Sequence, residues 1–81
     1  MKEIIFSRQA DRALQAMQAQ RRLAIIGKVK AYARGERVDI KKMKDGPLWR
    51  IRVGQDRVII DDDGVVVLVM AAGPRGSIYK E

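Results

Sequence analysis

Three arginines in the second half of the chain have the spacing of a phosphate-binding site. Arg50 and Arg52 alternate with apolar residues, so a strand over residues 48–53 places both guanidinium groups on one face. Residues 54–55 are Gly-Gln, and a two-residue hairpin loop there sets Arg52 opposite Arg57. Directly opposed like charges destabilise a sheet by up to about 1 kcal/mol, which favours a phosphate ligand over a purely structural role. The alternative is that these are ordinary solvent-facing strand residues.

Cleavage of RNA is a reaction that such a cluster can serve. Without a metal ion, it needs a base for the 2′-hydroxyl, positive charge beside the phosphorane and a proton for the leaving 5′-oxygen. Arginine suits the second task, because its planar fork binds phosphate oxygens. The sequence contains no histidine, which excludes histidine-based catalysis and the triads that depend on it. Tyr79 could transfer a proton or stack on a base, or it could simply cap the sheet.

The composition favours the same class of partner. The 81 residues carry a net charge of +7, and residues 21–57 contain twelve Lys or Arg against four acidic residues. A field of this sign attracts polyanions, so nucleic acid is the first partner to consider, although basic residues can also simply solvate helix faces. The chain has no cysteine, and it has neither a signal-like apolar run nor a stretch of about 18 apolar residues. We therefore expect a cytoplasmic protein without disulfides, bound metal or cofactor.

A helical hairpin is expected in the first half of the chain. Ser7 is the expected N-cap of a helix that runs from residue 8 to about residues 18–20. A second helix is expected over residues 21–34, with Gly35 at its end. Helical spacing predicts that the buried residues are Ala10, Ala13, Leu14 and Met17 in the first helix, and Leu23, Ile25, Ile26, Val29, Tyr32 and Ala33 in the second.

Strands are expected before and after the helices. They are predicted at residues 2–6, 48–53, 57–60 and 65–70, with a possible last strand at residues 77–79, a charged loop at 41–47 and turns at 54–55 and 61–64. The apolar run at 65–70 is continuous, which predicts a central strand covered on both faces. The fold class is therefore α+β, in one domain over residues 1–81, with the element order β-α-α-β-β-β and possibly one more β.

Two motifs, in this order, resemble the RelE/ParE toxin superfamily. The first is LWRIRVGQDRVI at residues 48–59, an aromatic and alternating basic strand followed by a glycine turn and Arg-Val-Ile. The second is the apolar strand at residues 65–70, followed by Gly73, Arg75 and Tyr79. The resemblance covers nearly the whole chain, and it implies a helical hairpin packed on a curved antiparallel sheet.

The resemblance also implies an activity. In the RelE branch these proteins are mRNA interferases, ribosome-dependent endoribonucleases of type II toxin-antitoxin systems that inhibit translation and are neutralised by a cognate antitoxin. The implied chemistry uses no metal and no small-molecule cofactor. The implied catalytic residues are Arg57, Arg75 and Tyr79, and the implied residues for binding RNA or phosphate are Arg50, Arg52, Lys42 and Lys44.

Four positions depart from the pattern of the RelE branch. Arg50 and Arg52 stand where well-studied RelE proteins carry lysines, and arginine cannot readily act as a general base. Ile60 stands where an aromatic residue is common, and Pro74 stands where histidine or another basic residue often precedes the arginine. The identity of the base is therefore open.

The alternative function is that of a ParE-like protein, which inhibits DNA gyrase without nuclease chemistry. ParE relatives generally lack the C-terminal arginine and tyrosine, so Arg75 and Tyr79 favour RNA cleavage. Two other features have structural interpretations. The acidic residues 61–63 precede glycine and are expected to form a hairpin turn rather than a metal site. Trp49 alternates with apolar residues and is expected in the core rather than against a nucleobase.

Overall fold

The computed structural model describes residues 1–44 and 46–77, and it packs a helical hairpin on one face of a sheet. The elements of this part of the chain are β1 (Glu3–Phe6), α1 (Arg8–Ala16), α2 (Ala19–Ala33), β2 (Ile40–Lys42), β3 (Leu48–Val53), β4 (Asp56–Asp62) and β5 (Val66–Pro74). The strand order across the sheet is β1-β5-β4-β3-β2. The α+β class is confirmed, and so is the order of the expected elements.

The sheet is mixed rather than wholly antiparallel. β1 runs parallel to β5, and the other neighbouring pairs are antiparallel. A parallel pair needs a long connection, and here the helices and the three intervening strands supply it. The helical hairpin carries the chain from β1 at one edge to β2 at the opposite edge, so its apolar faces cover one side of the sheet.

Ser7 begins α1, as expected. Its hydroxyl oxygen accepts a hydrogen bond from the backbone N–H of Ala10 at 3.0 Å, and its O–H donates to the carbonyl oxygen of Met70 at 2.9 Å. The same side chain therefore caps the helix and ties it to β5. The helix ends at Ala16, two to four residues earlier than expected, because Met17 has extended backbone with a ψ of 159°.

α2 begins and ends close to the expected residues. It starts at Ala19 instead of residue 21 and ends at Ala33, and Gly35 follows in the left-handed region with a φ of 85°. Its stripe toward the sheet contains Ile25, Val29 and Ala33, which recur every four residues. Leu23 lies off this stripe and is 66% exposed, so its expected burial was wrong.

The core lies between the helices and the covered face of the sheet. Its buried apolar members are Ala10, Leu14, Ile25, Val29, Ile51, Val53, Val58, Ile60, Val67, Val69 and Ala72. Of the other helix positions expected to be buried, Ala13 is half-buried, and Met17, Ile26 and Tyr32 are partly buried, the last three packed against this core. Alternate residues of β3, β4 and β5 thus face the helices, which leaves the intervening residues on the opposite, open face.

Two expectations about the strands were wrong. Residues 40–42 were expected at the border of a charged loop, but they form β2 at the edge of the sheet. β5 is central in the sheet, but its second face is covered only in part, because Val66 and Leu68 are half-buried there whereas Ala71 is buried. β4 and β5 are also longer than expected. The possible strand at residues 77–79 falls largely outside the described residues.

A buried carboxylate ties the N-terminus and α2 to the end of β4. Asp62 accepts hydrogen bonds from Lys2 Nζ at 2.6 Å and from the Tyr32 hydroxyl at 2.5 Å. Burial alone would raise the pKa of Asp62, but these bonds, the Gly64 N–H and the Lys2 charge together lower that pKa below its ordinary value. Burial, together with the hydrogen bond to Asp62 and its charge, raises the pKa of Tyr32 to about 12.

Within the described residues, no helix is long and apolar enough to cross a membrane.

Candidate nucleic-acid interface

The β3–β4 hairpin ends in a loop made of Gly54 and Gln55. Gly54 has a φ of 60°, in the left-handed region that glycine adopts with little strain. With this loop length, Arg52 becomes the direct cross-strand partner of Arg57. Both the predicted loop and the predicted opposition of the two arginines are confirmed.

The arginines lie on the open face of the sheet. Ile51 faces the helices, so Arg50 and Arg52 on either side of it point away from them. Their cross-strand partners are Ile59 and Arg57 respectively, which share the same face. Ile59 is fully buried, so the charged row has an apolar floor beside it. We call Arg50, Arg52 and Arg57 the arginine row.

Arg57 has the least favourable surroundings in the arginine row. Its Nε atom is buried and has no hydrogen-bond acceptor within the part of the chain that the structure describes. Burial lowers the pKa of its guanidinium, and the positive charges of Arg50, Arg75 and Arg52 lower that pKa further. A buried donor beside like charges is unfavourable until an anion supplies both an acceptor and a negative charge.

A cleft opens beside Arg57 on this face. It has a volume of about 430 Å³ and is lined by Arg52, Gly54, Gln55, Asp56, Arg57, Pro74, Arg75 and Gly76. Arg75 reaches the cleft because its backbone N–H donates a hydrogen bond to the Gln55 carbonyl oxygen at 3.0 Å. This bond joins the turn after β5 to the hairpin loop, so two distant segments of the chain contribute arginines to one cavity.

An ion pair between a buried carboxylate and a partly exposed arginine supports the cleft from behind. Asp56 is 4% exposed and accepts two hydrogen bonds from Arg21, from Nε at 3.0 Å and from Nη2 at 2.5 Å. The hydrogen bond from Arg21 to Asp56 raises the pKa of the Arg21 guanidinium. The pair anchors the start of α2 to the hairpin that carries Arg57. Sequence reasoning missed it, although a carboxylate at a core-facing position of β4 was a signal that it needed a cation.

The lysines of the predicted site are not all placed with the arginines. Lys42 pairs with Trp49, and its Nζ lies 5.8 Å from the centroid of that ring, on the side of the helices. Lys44 is exposed in the loop after β2. Lys41 is instead the direct partner of Arg50 and shares the open face. Sequence reasoning chose Lys42 and Lys44 and omitted Lys41, because with residues 41–47 expected as a loop nothing in the sequence showed which lysine shares a face with the arginines.

Three further expectations have different outcomes. Tyr79 lies outside the described residues. The acidic turn is confirmed only in part, because Asp61 and Asp62 belong to β4. Asp63 does form a turn, in which its Oδ1 accepts hydrogen bonds from the backbone N–H groups of Val65 at 2.9 Å and Val66 at 2.7 Å. Trp49 is partly buried and packs against the core, as expected.

This geometry can hold and orient a polyanion. The guanidinium groups offer many donors of fixed geometry on one open surface, and Arg57 and Arg75 meet in the cleft. Arginine as a residue type can stabilise negative charge but is a poor proton acceptor. Asp56, the carboxylate that lines the cleft, is occupied by Arg21.

Comparison with known proteins defines the fold. A chain of the RelB-RelE antitoxin-toxin complex from Methanococcus jannaschii is similar, with a TM-score of 0.76 and 24% identity over 94% of this chain and 95% of that chain. A chain of the archaeal RelE-RelB complex from Pyrococcus horikoshii OT3 gives 0.74 and 21%, over 95% and 98% of the two chains. YafQ from E. coli gives 0.71 and 12%, over 99% and 100%. No protein-family profile and no curated protein sequence matches. This chain therefore has the RelE-like α+β fold.

Proposed function

We propose that this protein is the toxin of a toxin-antitoxin system and that it cleaves messenger RNA on the ribosome. The observation that carries the proposal is the arginine row, of which Arg52 and Arg57 meet Arg75 in one open cleft. The similarity of the fold to chains of RelB-RelE antitoxin-toxin complexes supports a toxin. Arg52 and Arg57 lie directly opposite each other, and such opposed like charges lower the stability of a sheet. A polyanionic ligand gives a reason for this arrangement, because it binds both charges.

In the proposed mechanism, the arginines position the RNA and stabilise charge. Arg57 and Arg75 contact the phosphate that is cut, and they offset the negative charge that grows on the phosphorane. Arg50 and Arg52 bind the adjoining backbone. Lys42 and Lys44 lie farther from the cleft and contribute mainly to long-range attraction of RNA. The chemistry is carried by side chains alone.

One of the two proton transfers is assigned to Tyr79, because permanently charged arginines cannot serve as a base. Tyr79→Phe keeps the ring and removes the hydroxyl. A large loss of rate identifies proton transfer, whereas near-parental activity identifies stacking on a base. Arg50→Lys and Arg52→Lys introduce a group that can act as a base. Higher activity with a new pH dependence in either variant would mean that the parent lacks an efficient base.

The proposed partner in the resting cell is a cognate antitoxin. A surface with a net charge of +7 and an open basic cleft suits an acidic, partly disordered segment that folds on binding. Such a partner stabilises the fold by mass action, so the product of a neighbouring gene should raise the melting temperature of the toxin. Failure of the purified pair to form a complex would count against a toxin-antitoxin module.

The experiment that tests the proposed function is induction of the protein in bacteria without its antitoxin. We expect growth to stop with translation, and the 5′ ends of transcripts to show new cuts in phase with codons inside translated regions. Normal protein synthesis together with an induced DNA-damage response would contradict RNA cleavage and would favour the ParE-like inhibition of DNA gyrase.

A further inference from the structure

We propose that Lys41 extends the arginine row to the edge of the sheet, so that the RNA backbone leaves the cleft across β3 and passes over β2. This inference rests on the proposed function, because it assigns a direction to the RNA at the same site. It adds a binding residue that no motif of the sequence indicated.

The register of the sheet places these cations in a continuous line. Arg57 is paired with Arg52, Arg50 lies two residues along β3 on the same face, and Lys41 is paired with Arg50. Neighbouring strands are about 4.8 Å apart, and residues two apart in a strand are separated by roughly 6.6 Å. A flexible polyanion can therefore pass from the cleft to the sheet edge with a cation beside it at each step.

The edge of the sheet offers one favourable exit on this face. Asp39 immediately precedes β2, and its carbonyl oxygen accepts a hydrogen bond from the backbone N–H of Arg52 at 2.8 Å. The register therefore continues to Asp39, which lies beside Arg52 on the open face and is exposed. A carboxylate there repels phosphate, whereas Lys41, two residues farther along, attracts it. The backbone of the RNA is thus directed past Lys41.

A purely structural role for Lys41 makes a different prediction. β2 is an edge strand, and lysines on edge strands discourage pairing with other chains. That role does not depend on the face, so Lys42 would serve it as well as Lys41. Lys42 has the same charge on the same strand, but it lies over Trp49 on the side of the helices. Comparison of the two lysines therefore separates RNA binding from edge protection.

The test uses a short single-stranded RNA whose 2′-hydroxyls are methylated, so that it cannot be cut. Fluorescence anisotropy measures the affinity of the protein for this RNA over a range of KCl concentrations. Each phosphate contact with single-stranded nucleic acid contributes about 0.7 to the slope of log affinity against log salt. Lys41→Gln should reduce that slope by about 0.7 and weaken binding about fivefold at about 0.1 M KCl, with the difference vanishing toward about 1 M. Lys41→Arg should retain the parental slope.

Lys28→Gln is the matched control, because it removes the same charge from an exposed position of α2, in the helical layer on the other side of the sheet. It should leave the slope unchanged, and Lys42→Gln should change it by less than half as much as Lys41→Gln. If Lys41→Gln matches either of these variants, or if the parent does not bind the RNA, the proposed path is wrong. If the parent protein cuts messages in phase with codons but Lys41→Gln binds RNA as the Lys28→Gln control does, the proposed path is refuted and the proposed function is not. Absence of that cleavage would instead refute the proposed function.

Discussion

Replacing Arg52 by glutamine should stabilise the protein while weakening the proposed binding and cleavage of RNA. Arg52 is the direct cross-strand partner of Arg57, and Arg50 and Arg75 add further positive charge around Arg57. Directly opposed like charges cost a sheet up to about 1 kcal/mol, and two effects reduce that cost to about half: solvent around the exposed Arg52 side chain, and the Asp39 carboxylate beside it on the neighbouring strand. In a domain of this size, Tm changes by roughly 4 to 8 °C per kcal/mol, so we expect Arg52→Gln to raise Tm by about 2 to 4 °C.

The assay is thermal unfolding followed by circular dichroism at low salt and at about 1 M NaCl, where the Debye length is about 3 Å. Screening should remove most of the gain. Arg37→Gln is the control, since Arg37 is exposed between α2 and β2, outside the arginine row, and its loss should change Tm little. A lower Tm for Arg52→Gln, an equal gain for Arg37→Gln, or a gain that persists in high salt would refute the argument from charge repulsion.

Substitutions at four further positions test other parts of the structure. The pKa of Tyr32 is raised to about 12 from an ordinary value of 10.0, so the unfolded chain loses this proton first as the pH rises. Stability should therefore fall between pH 10.0 and about 12, and Tyr32→Phe should flatten this part of a plot of Tm against pH. Asp62 has a lowered pKa, so stability should also fall as the pH drops below the ordinary aspartate range, and Asp62→Asn should weaken that acid dependence. Asp56→Ala should lower the free energy of unfolding by about 2 kcal/mol in urea titrations, because it removes both hydrogen bonds to Arg21. Gly54→Ala should cost about 1 kcal/mol, and Gly54→Asn less, because the loop needs a φ of 60°.

Local rules predicted the parts of the fold that depend on local sequence. Ser7 predicted the start of α1, and Gly35 predicted the end of α2, because capping depends on a few neighbouring residues. The Gly-Gln loop at residues 54–55 determined the register of the hairpin, and that register placed Arg52 opposite Arg57. The main geometric prediction about the site was therefore available from the sequence.

The features that were missed depend on the tertiary structure. β2 has only three residues, so alternation cannot reveal it, and it becomes a strand because β3 offers an open edge. Leu23 fits helical spacing, but its burial depends on which stripe of α2 meets the sheet. The pairing of Asp56 with Arg21 joins residues 35 positions apart, so a core-facing carboxylate could signal the need for a cation but not which residue supplies it.

The central claim is that Arg57 and Arg75 stabilise the transition state of RNA cleavage. The most direct test is the single-turnover rate of messenger cleavage on programmed ribosomes for the parent, Arg57→Ala and Arg75→Ala, with circular dichroism to verify that each variant is folded. Loss of one transition-state donor typically lowers the rate by about 10² to 10³, and we expect that loss for each variant. If both variants, and alanine substitutions of Arg50, Arg52 and Tyr79, cleave within about twofold of the parent, the proposed site is wrong.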